Sequence, residues 1–272
     1  MLRQRILTAL VLIPLVVAAI WWLPTSAVAV LVGGLMLVSV WEWSQFVPLT
    51  GGRRWAFLAL TAALMILLHP MVAGHGLGLP VLLLGGLWWL VAAAWLRLYP
   101  GGFAAGHPAP AVRALLGLLV TVPCYLALWK LHALESGRWL IFLLLVLVWA
   151  TDTGGYFAGK SLGRHKLAPS ISPNKTWEGL YGGVALALAL ALAAAYTVLP
   201  VRPLAGFLGL ALLVSLVSVV GDLTVSMFKR QCGIKDTGVL FPGHGGALDR
   251  LDSLFSAAPV LFLGYGLLVN AL

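Results

Sequence analysis

The stretch from Gly221 to Ser253, GDLTVSMFKRQCGIKDTGVLFPGHGGALDRLDS, places acids, cations and glycines at spacings that suit phosphate chemistry. Asp222, Ser226 and Lys229 follow i, i+4, i+7, so on a helix a carboxylate, a hydroxyl and an amine share one face. Arg230, Lys235, His244 and Arg250 add cationic or hydrogen-bonding groups in a short span. Asp249 and Asp252, three apart, can face the same way where the next helix begins. Gly238, Gly243, Gly245 and Gly246 permit close backbone approach to a ligand. Together these groups describe a site for a metal-bound polyphosphate. Oxygen-only ligands suit magnesium, which takes one or two carboxylates and keeps water or substrate phosphate oxygens. The thiols and imidazoles lack the spacing for zinc. A hydrolase triad of Ser226, His244 and an aspartate has no nucleophile elbow to go with it.

Two upstream stretches belong with this one. GGYFAGKS, Gly154 to Ser161, spells the phosphate-binding pattern G-x-x-x-x-G-K-[ST] residue for residue. A working loop of that kind follows a strand of an open α/β sheet, whereas the residues before it here, WLIFLLLVLVWATDT, read as a membrane helix. The spelling is coincidental on that reading. If the helix continues through it, Asp152, Tyr156 and Gly159 or Lys160 form one stripe, so that an acid, a phenol and an amine line a cavity at the membrane edge. The other use of Asp152 is a structural pairing with a buried cation. In SISPNKTWEG, residues 170–179, Ser172 and Pro173 read as a helix start, with Glu178 at the positive end of the dipole. Capping accounts for Ser172, Thr176 and Glu178 but not for Asn174 and Lys175. A lysine just before a helix start is placed to meet a phosphate.

The elements that position these groups are membrane helices. A mean hydropathy of +1.02 and a charged fraction of only 9% exclude an ordinary soluble domain, which needs more polar surface than this. Apolar runs predict an all-α polytopic bundle of nine spans, at roughly 6–23, 26–43, 55–73, 80–96, 113–133, 139–158, 178–199, 204–227 and 254–272. The third is the weakest, because His69, Pro70 and a glycine-rich stretch interrupt its end. The basic start MLRQR and the Ala27-Val28-Ala29 triplet imitate a signal peptide, but the apolar region resumes at once as a second span. With the N-terminus in the cytoplasm, fourteen of the 17 basic residues fall on the inner side, and Lys130, Arg138 and Arg202 fall outside. A net charge of +9 therefore asks for anionic lipid headgroups and not for nucleic acid. Cys124 and Cys232 read as free thiols. Tryptophans near span ends, Trp21, Trp22, Trp41 and Trp43 among them, read as an interfacial belt.

The acids are unevenly placed. Only Glu42 and Glu135 precede residue 150, while Asp152, Glu178, Asp222, Asp236, Asp249 and Asp252 follow it. A carboxylate near or within a membrane helix is costly unless it is paired, metal-bound or lining a wet cavity, so the second half holds the candidate site. Residues 1–138 then read as scaffold helices and 139–272 as the catalytic region of one membrane domain. Glu42, between Trp41 and Trp43, has no role on this reading.

The stretch from Ser226 resembles the signature of phosphatidate cytidylyltransferases, S-x-x-K-R-x4-K-D, a spacer, then H-G-G, a hydrophobic residue, x-D-R, a hydrophobic residue and D. Ser226, Lys229, Arg230, Lys235, Asp236, His244, Gly245, Gly246, Asp249, Arg250 and Asp252 stand in those places in order. DTGGYFAGKSLGRHKLAPSISPNKTWEG is similar to a second region of the same family. The resemblance implies an enzyme that joins CTP and phosphatidate to give CDP-diacylglycerol and pyrophosphate, in a bacterial-type inner membrane, with the site on the cytoplasmic side, and working as a homodimer. Under it, magnesium on Asp222 and Asp249 bridges the CTP phosphates, with Asp152 and Asp252 as nearby supports and room for a second cation. Lys175, Lys229, Arg230, Lys235 and Arg250 divide between the triphosphate and the lipid headgroup, beside Asn174 and Asp236. The related CDP-alcohol phosphatidyltransferases carry a D-G-x2-A-R pattern that is absent here. A transporter for an anion, the reading from another class, would put its carboxylates along a membrane path, whereas these cluster with cations at one face.

Overall fold

A computed structural model describes residues 2–73, 78–101, 108–199, 201, 203–241, 243 and 245–269, the side chains of 2–7, 71–73 and 78 excepted. Along them run α1 (Leu2–Trp22), α2 (Thr25–Trp43), α3 (Gly51–Ala73), α4 (Gly78–Leu98), α5 (Pro110–Ala133), α6 (Gly137–Leu162), β1 (Lys166–Ala168), β2 (Ser172–Thr176), α7 (Trp177–Thr197), α8 (Leu204–Gln231) and α9 (Leu248–Leu268). Each of α2 to α9 contains a run long and apolar enough to cross a membrane, and α1 adds a shorter one over Thr8–Trp22. The chain is a multi-pass, nearly all-α membrane protein, as expected.

The nine expected segments each match a helix, but the helices outrun the apolar windows on the polar side. α6 continues to Leu162, α8 to Gln231, and α9 begins at Leu248. The apolar windows close where polar residues accumulate, whereas the i→i−4 ladder does not depend on side-chain polarity. α3 runs through His69 and Pro70. There the His69 ring stacks on Trp129 at 3.6 Å between centroids, and its Nδ1 lies 3.1 Å from the Tyr125 hydroxyl. The glycine-rich residues 74–77 that follow lie outside the described residues.

The helix start expected at Ser172 and Pro173 is incorrect. Ser172–Thr176 is the second strand of an antiparallel hairpin, with Lys166 opposite Thr176 and Ala168 opposite Ser172. In so short a ribbon the proline occupies an edge, where its missing N–H costs no ladder bond. The helix starts at Trp177 and is capped by Thr176, whose hydroxyl accepts the Gly179 N–H at 3.1 Å. The Glu178 carboxylate, in the first turn of α7 as expected, also reaches across to the end of α6. It accepts the N–H of Arg164 (3.1 Å) and of His165 (3.2 Å) and meets the His165 ring at 2.6 Å, which ties the end of α6 to the start of α7.

α6 and α7 pack through small residues, as membrane helices do when backbone contact replaces side-chain burial. Gly154, Gly155 and Gly159, the glycines of the phosphate-loop spelling, face Gly179, Gly182 and Gly183, and a Cβ at Gly183 would run into the Thr151 carbonyl. The bundle interior centres on α5, α8 and α9, where Trp43, Phe46 and Trp95 close around Phe228 at 5.1, 5.8 and 5.8 Å. Trp22 is exposed as a belt residue should be. Trp43 is fully buried, and its indole N–H donates to the Arg113 carbonyl at 2.8 Å, so it belongs to the core instead.

Candidate active site

The polar half of α8 presents Asp222, Ser226 and Lys229 on one face, as their spacing requires. The Ser226 hydroxyl donates to Asp222 Oδ1 at 3.2 Å, and Lys175, carried in by β2, pairs with Asp222 Oδ2. Burial works against the Lys175 charge, but the Asp222 carboxylate outweighs it and holds the lysine pKa above its usual value. α9 approaches α8 closely because Gly221 has no side chain. A Cβ there would strike the Ser256 hydroxyl and the Asp252 carbonyl. The first turns of α9 thereby bring Asp249 and Asp252 opposite Asp222 and Lys229.

Asp249 is buried and held by several donors. Its Oδ1 accepts from Lys229 Nζ at 2.8 Å, and its Oδ2 accepts from the Thr237 N–H (2.8 Å), the Thr237 hydroxyl (3.0 Å) and the Gly246 N–H (3.0 Å). Three donors crowd Oδ2 and one reaches Oδ1, which leaves a lone pair of Oδ1 open. Asp252 accepts the Ser253 N–H at 2.8 Å, and Asp152 makes no hydrogen bond among the described residues.

Two cavities meet at Asp152. One, of about 350 Å³, is polar: Asp152, Asp222, Asp249, Asp252, Asp236, Lys229 and Arg250 line it, with Trp149 and Leu145 of α6 completing its wall. The other, of about 270 Å³, lies between α6, α7 and the hairpin. It has Lys175, Asn174 and Ser172 toward the polar end and Tyr156, Leu167, Leu180 and Val219 around the rest. The expected stripe on α6 holds for Asp152 and Tyr156, whereas Lys160 lies outside the cavity, with its ammonium 5.8 Å from the Tyr156 ring centroid.

Some expected residues stand elsewhere. Arg230 donates through Nε to the Ile171 carbonyl at 3.1 Å and so fastens the hairpin to the end of α8. Lys235 is exposed and lines neither cavity. A Cβ at Gly245 would strike Asp249, and one at Gly246 would strike Glu42, so side chains of this protein already occupy the space these glycines leave. His244 lies outside the described residues.

Glu42 is the residue that sequence reasoning missed. Buried at 5% exposure in α2, it accepts the N–H of Ala247 (3.1 Å) and of Leu248 (2.7 Å) and the Thr237 hydroxyl (3.0 Å). The only signal in the sequence was an acid inside an apolar segment, which is costly without partners.

A profile of the cytidylyltransferase family matches residues 3–268, almost the whole chain. The protein belongs to the cytidylyltransferase family. Among its relatives, the phosphatidate cytidylyltransferase of Pseudomonas aeruginosa is 43% identical over 269 residues, which cover 96% of this chain and 95% of the relative. The phosphatidate cytidylyltransferase of Haemophilus influenzae is 35% identical over 95% of this chain and 96% of its own, and that of Brucella suis 36% identical over 96% and 92%. The resemblance read from the signature is thus borne out, and the protein is an enzyme, a nucleotidyltransferase.

The donor set of this cytidylyltransferase family member fits magnesium. Among the described residues no three His, Cys, Asp or Glu side chains converge to hold an ion by themselves. The cavity instead offers carboxylate oxygens beside cations that can receive phosphate, the arrangement of an ion completed by substrate phosphates and water.

Proposed function

We propose that this chain transfers CMP from CTP to phosphatidate, giving CDP-diacylglycerol and pyrophosphate, on the cytoplasmic side of a bacterial inner membrane. The observation that carries the reading is the meeting of two unlike cavities at Asp152. The polar cavity suits the triphosphate, and the one walled by Leu167, Leu180, Val219 and Tyr156 suits a lipid whose phosphate reaches Lys175 and Asn174. The relatives' names point to the same two substrates.

In this reaction an oxygen of the phosphatidate phosphate forms a bond to the α-phosphorus of CTP. The bond from that phosphorus to the oxygen bridging the β-phosphorus breaks, and its electron pair leaves with pyrophosphate. The nucleophile is already ionised, so the protein's part is to position and to neutralise charge. Lys175 orients the lipid phosphate while Asp222 keeps its ammonium in place. Arg250 and Lys229 face the triphosphate, in a cavity that Asp236 also lines. Asp222 and Asp249 would hold magnesium, with Asp152 and Asp252 in support and available to a second cation. The bound ion would neutralise phosphate charge in the transition state. Asp249 would offer the second lone pair of Oδ1, beside the Lys229 ammonium that also faces the phosphates.

Purified protein, magnesium, phosphatidate in mixed micelles and CTP labelled at its α-phosphorus test the reading. The label should move into the lipid extract as CDP-diacylglycerol, while label on the γ-phosphorus should stay in water. Folded protein that leaves the α-label in water would overturn it.

A further inference from the structure

Among the described residues, Glu42 is the one buried acid that the transfer chemistry does not use, and its partners lie 195, 205 and 206 residues away in the sequence. α9 has no cap of its own, because Ala247 stands at its N-cap position and makes no side-chain hydrogen bond. The Glu42 carboxylate, from another helix, takes up the amides of Ala247 and Leu248 and puts negative charge at the positive end of α9. Gln45, three residues on in the turn after α2, donates its Nε2 to the Thr237 carbonyl at 2.6 Å, so α2 and this turn hold both ends of the segment from Thr237 to Leu248. Gly238 and Gly246 press against Glu42 so closely that a Cβ on either would run into its carboxylate. The Thr237 hydroxyl lies 3.0 Å from Glu42 Oε2 and 3.0 Å from Asp249 Oδ2, so the two acids share one donor, whose proton serves one of them at a time.

We propose that Glu42 is a positioning residue for the transfer reaction. By holding Thr237 and the first amides of α9 it sets the place of Asp249, and through Asp249 that of Lys229. The inference rests on the cytidylyl transfer proposed above, and it gives a helix of the N-terminal half direct control over the geometry of the site. Glu42→Gln keeps the size of the side chain but replaces one acceptor oxygen with a donor, which faces the donors already there.

The test uses the full-length protein in detergent, as wild type, Glu42→Gln, Thr237→Val, the double variant and Thr237→Ser. For Glu42→Gln, kcat of pyrophosphate release falls by about 10- to 100-fold, the scale of a small misplacement of catalytic groups. The KM for CTP moves by less than about threefold, because binding is not what is lost. Hydrogen exchange quickens across residues 237–249 and not elsewhere. The losses of Glu42→Gln and Thr237→Val combine to less than their product, since both break one linkage, and Thr237→Ser, which keeps the hydroxyl, stays near wild type. Thr237→Val alone gives the same kcat-selective loss and serves if Glu42→Gln does not fold. Unchanged kcat and exchange in Glu42→Gln, a rise in KM alone, or losses that multiply would overturn the proposal. A wild type that releases no pyrophosphate sinks the transfer reading instead. Exchange at 237–249 then decides Glu42: quickened exchange keeps its hold on the segment, and unchanged exchange removes it.

Discussion

At the scale of single residues, Asp249 holds Lys229 and the loop before α9 with the same carboxylate, so one substitution removes both. Asp249→Ala leaves the Lys229 ammonium, 12% exposed, without its acid, and thermal unfolding in detergent should show a loss of about 3 kcal/mol together with the loss of turnover. Wild-type stability in that variant would show that the pair does not hold the loop. Lys175→Met strips Asp222 of its cation, and kcat/KM for phosphatidate should fall by about 100-fold or more, as for loss of a charged contact to a phosphate. A change confined to CTP kinetics would move Lys175 to the nucleotide. The sequence showed the face made by Asp222, Ser226 and Lys229, because helical spacing alone brings those three together. It did not show why Glu42 is present. The partners of Glu42 are mainly backbone amides of a distant segment, and backbone groups leave no mark in side-chain spelling.

At the scale of elements, α6 and α7 work as one ridge that carries Asp152 to the junction of the cavities. Gly183→Val drives a side chain into the Thr151 carbonyl, which belongs to helix backbone and cannot swing aside. That variant should unfold more easily by about 2 kcal/mol and lose activity, since Asp152 follows Thr151 directly. An unchanged melting temperature would mean the helices can separate without harm. The glycines here were legible as glycines and the phosphate-loop spelling as accidental, but their partners on α7 became evident only from the packing. The β1–β2 hairpin was missed for a local reason. Ser172 and Pro173 suit a helix start as well as an extended edge, and pairing with Lys166–Ala168 decides between them.

At the scale of the whole molecule, hydropathy gave the spans and charge gave an orientation, because a bilayer imposes both on any chain that crosses it. In a background where Cys124 and Cys232 are replaced, a membrane-impermeant maleimide should label Glu135→Cys in intact cells and Lys235→Cys only after the cells are opened. The reverse pattern would put the site on the outer face. The division into scaffold and catalytic halves was drawn from where the acids lie, and Glu42 crosses it by tying α2 to α9. The central claim is that one cluster of carboxylates serves both a nucleotide and a lipid phosphate. Pyrophosphate release by the purified protein tests it most directly, with CTP, phosphatidate and magnesium omitted in turn and Asp222→Asn run beside wild type. Release should require all three components and fall by about 100-fold or more in a folded Asp222→Asn protein. Release without phosphatidate, or undiminished release from the variant, would contradict it.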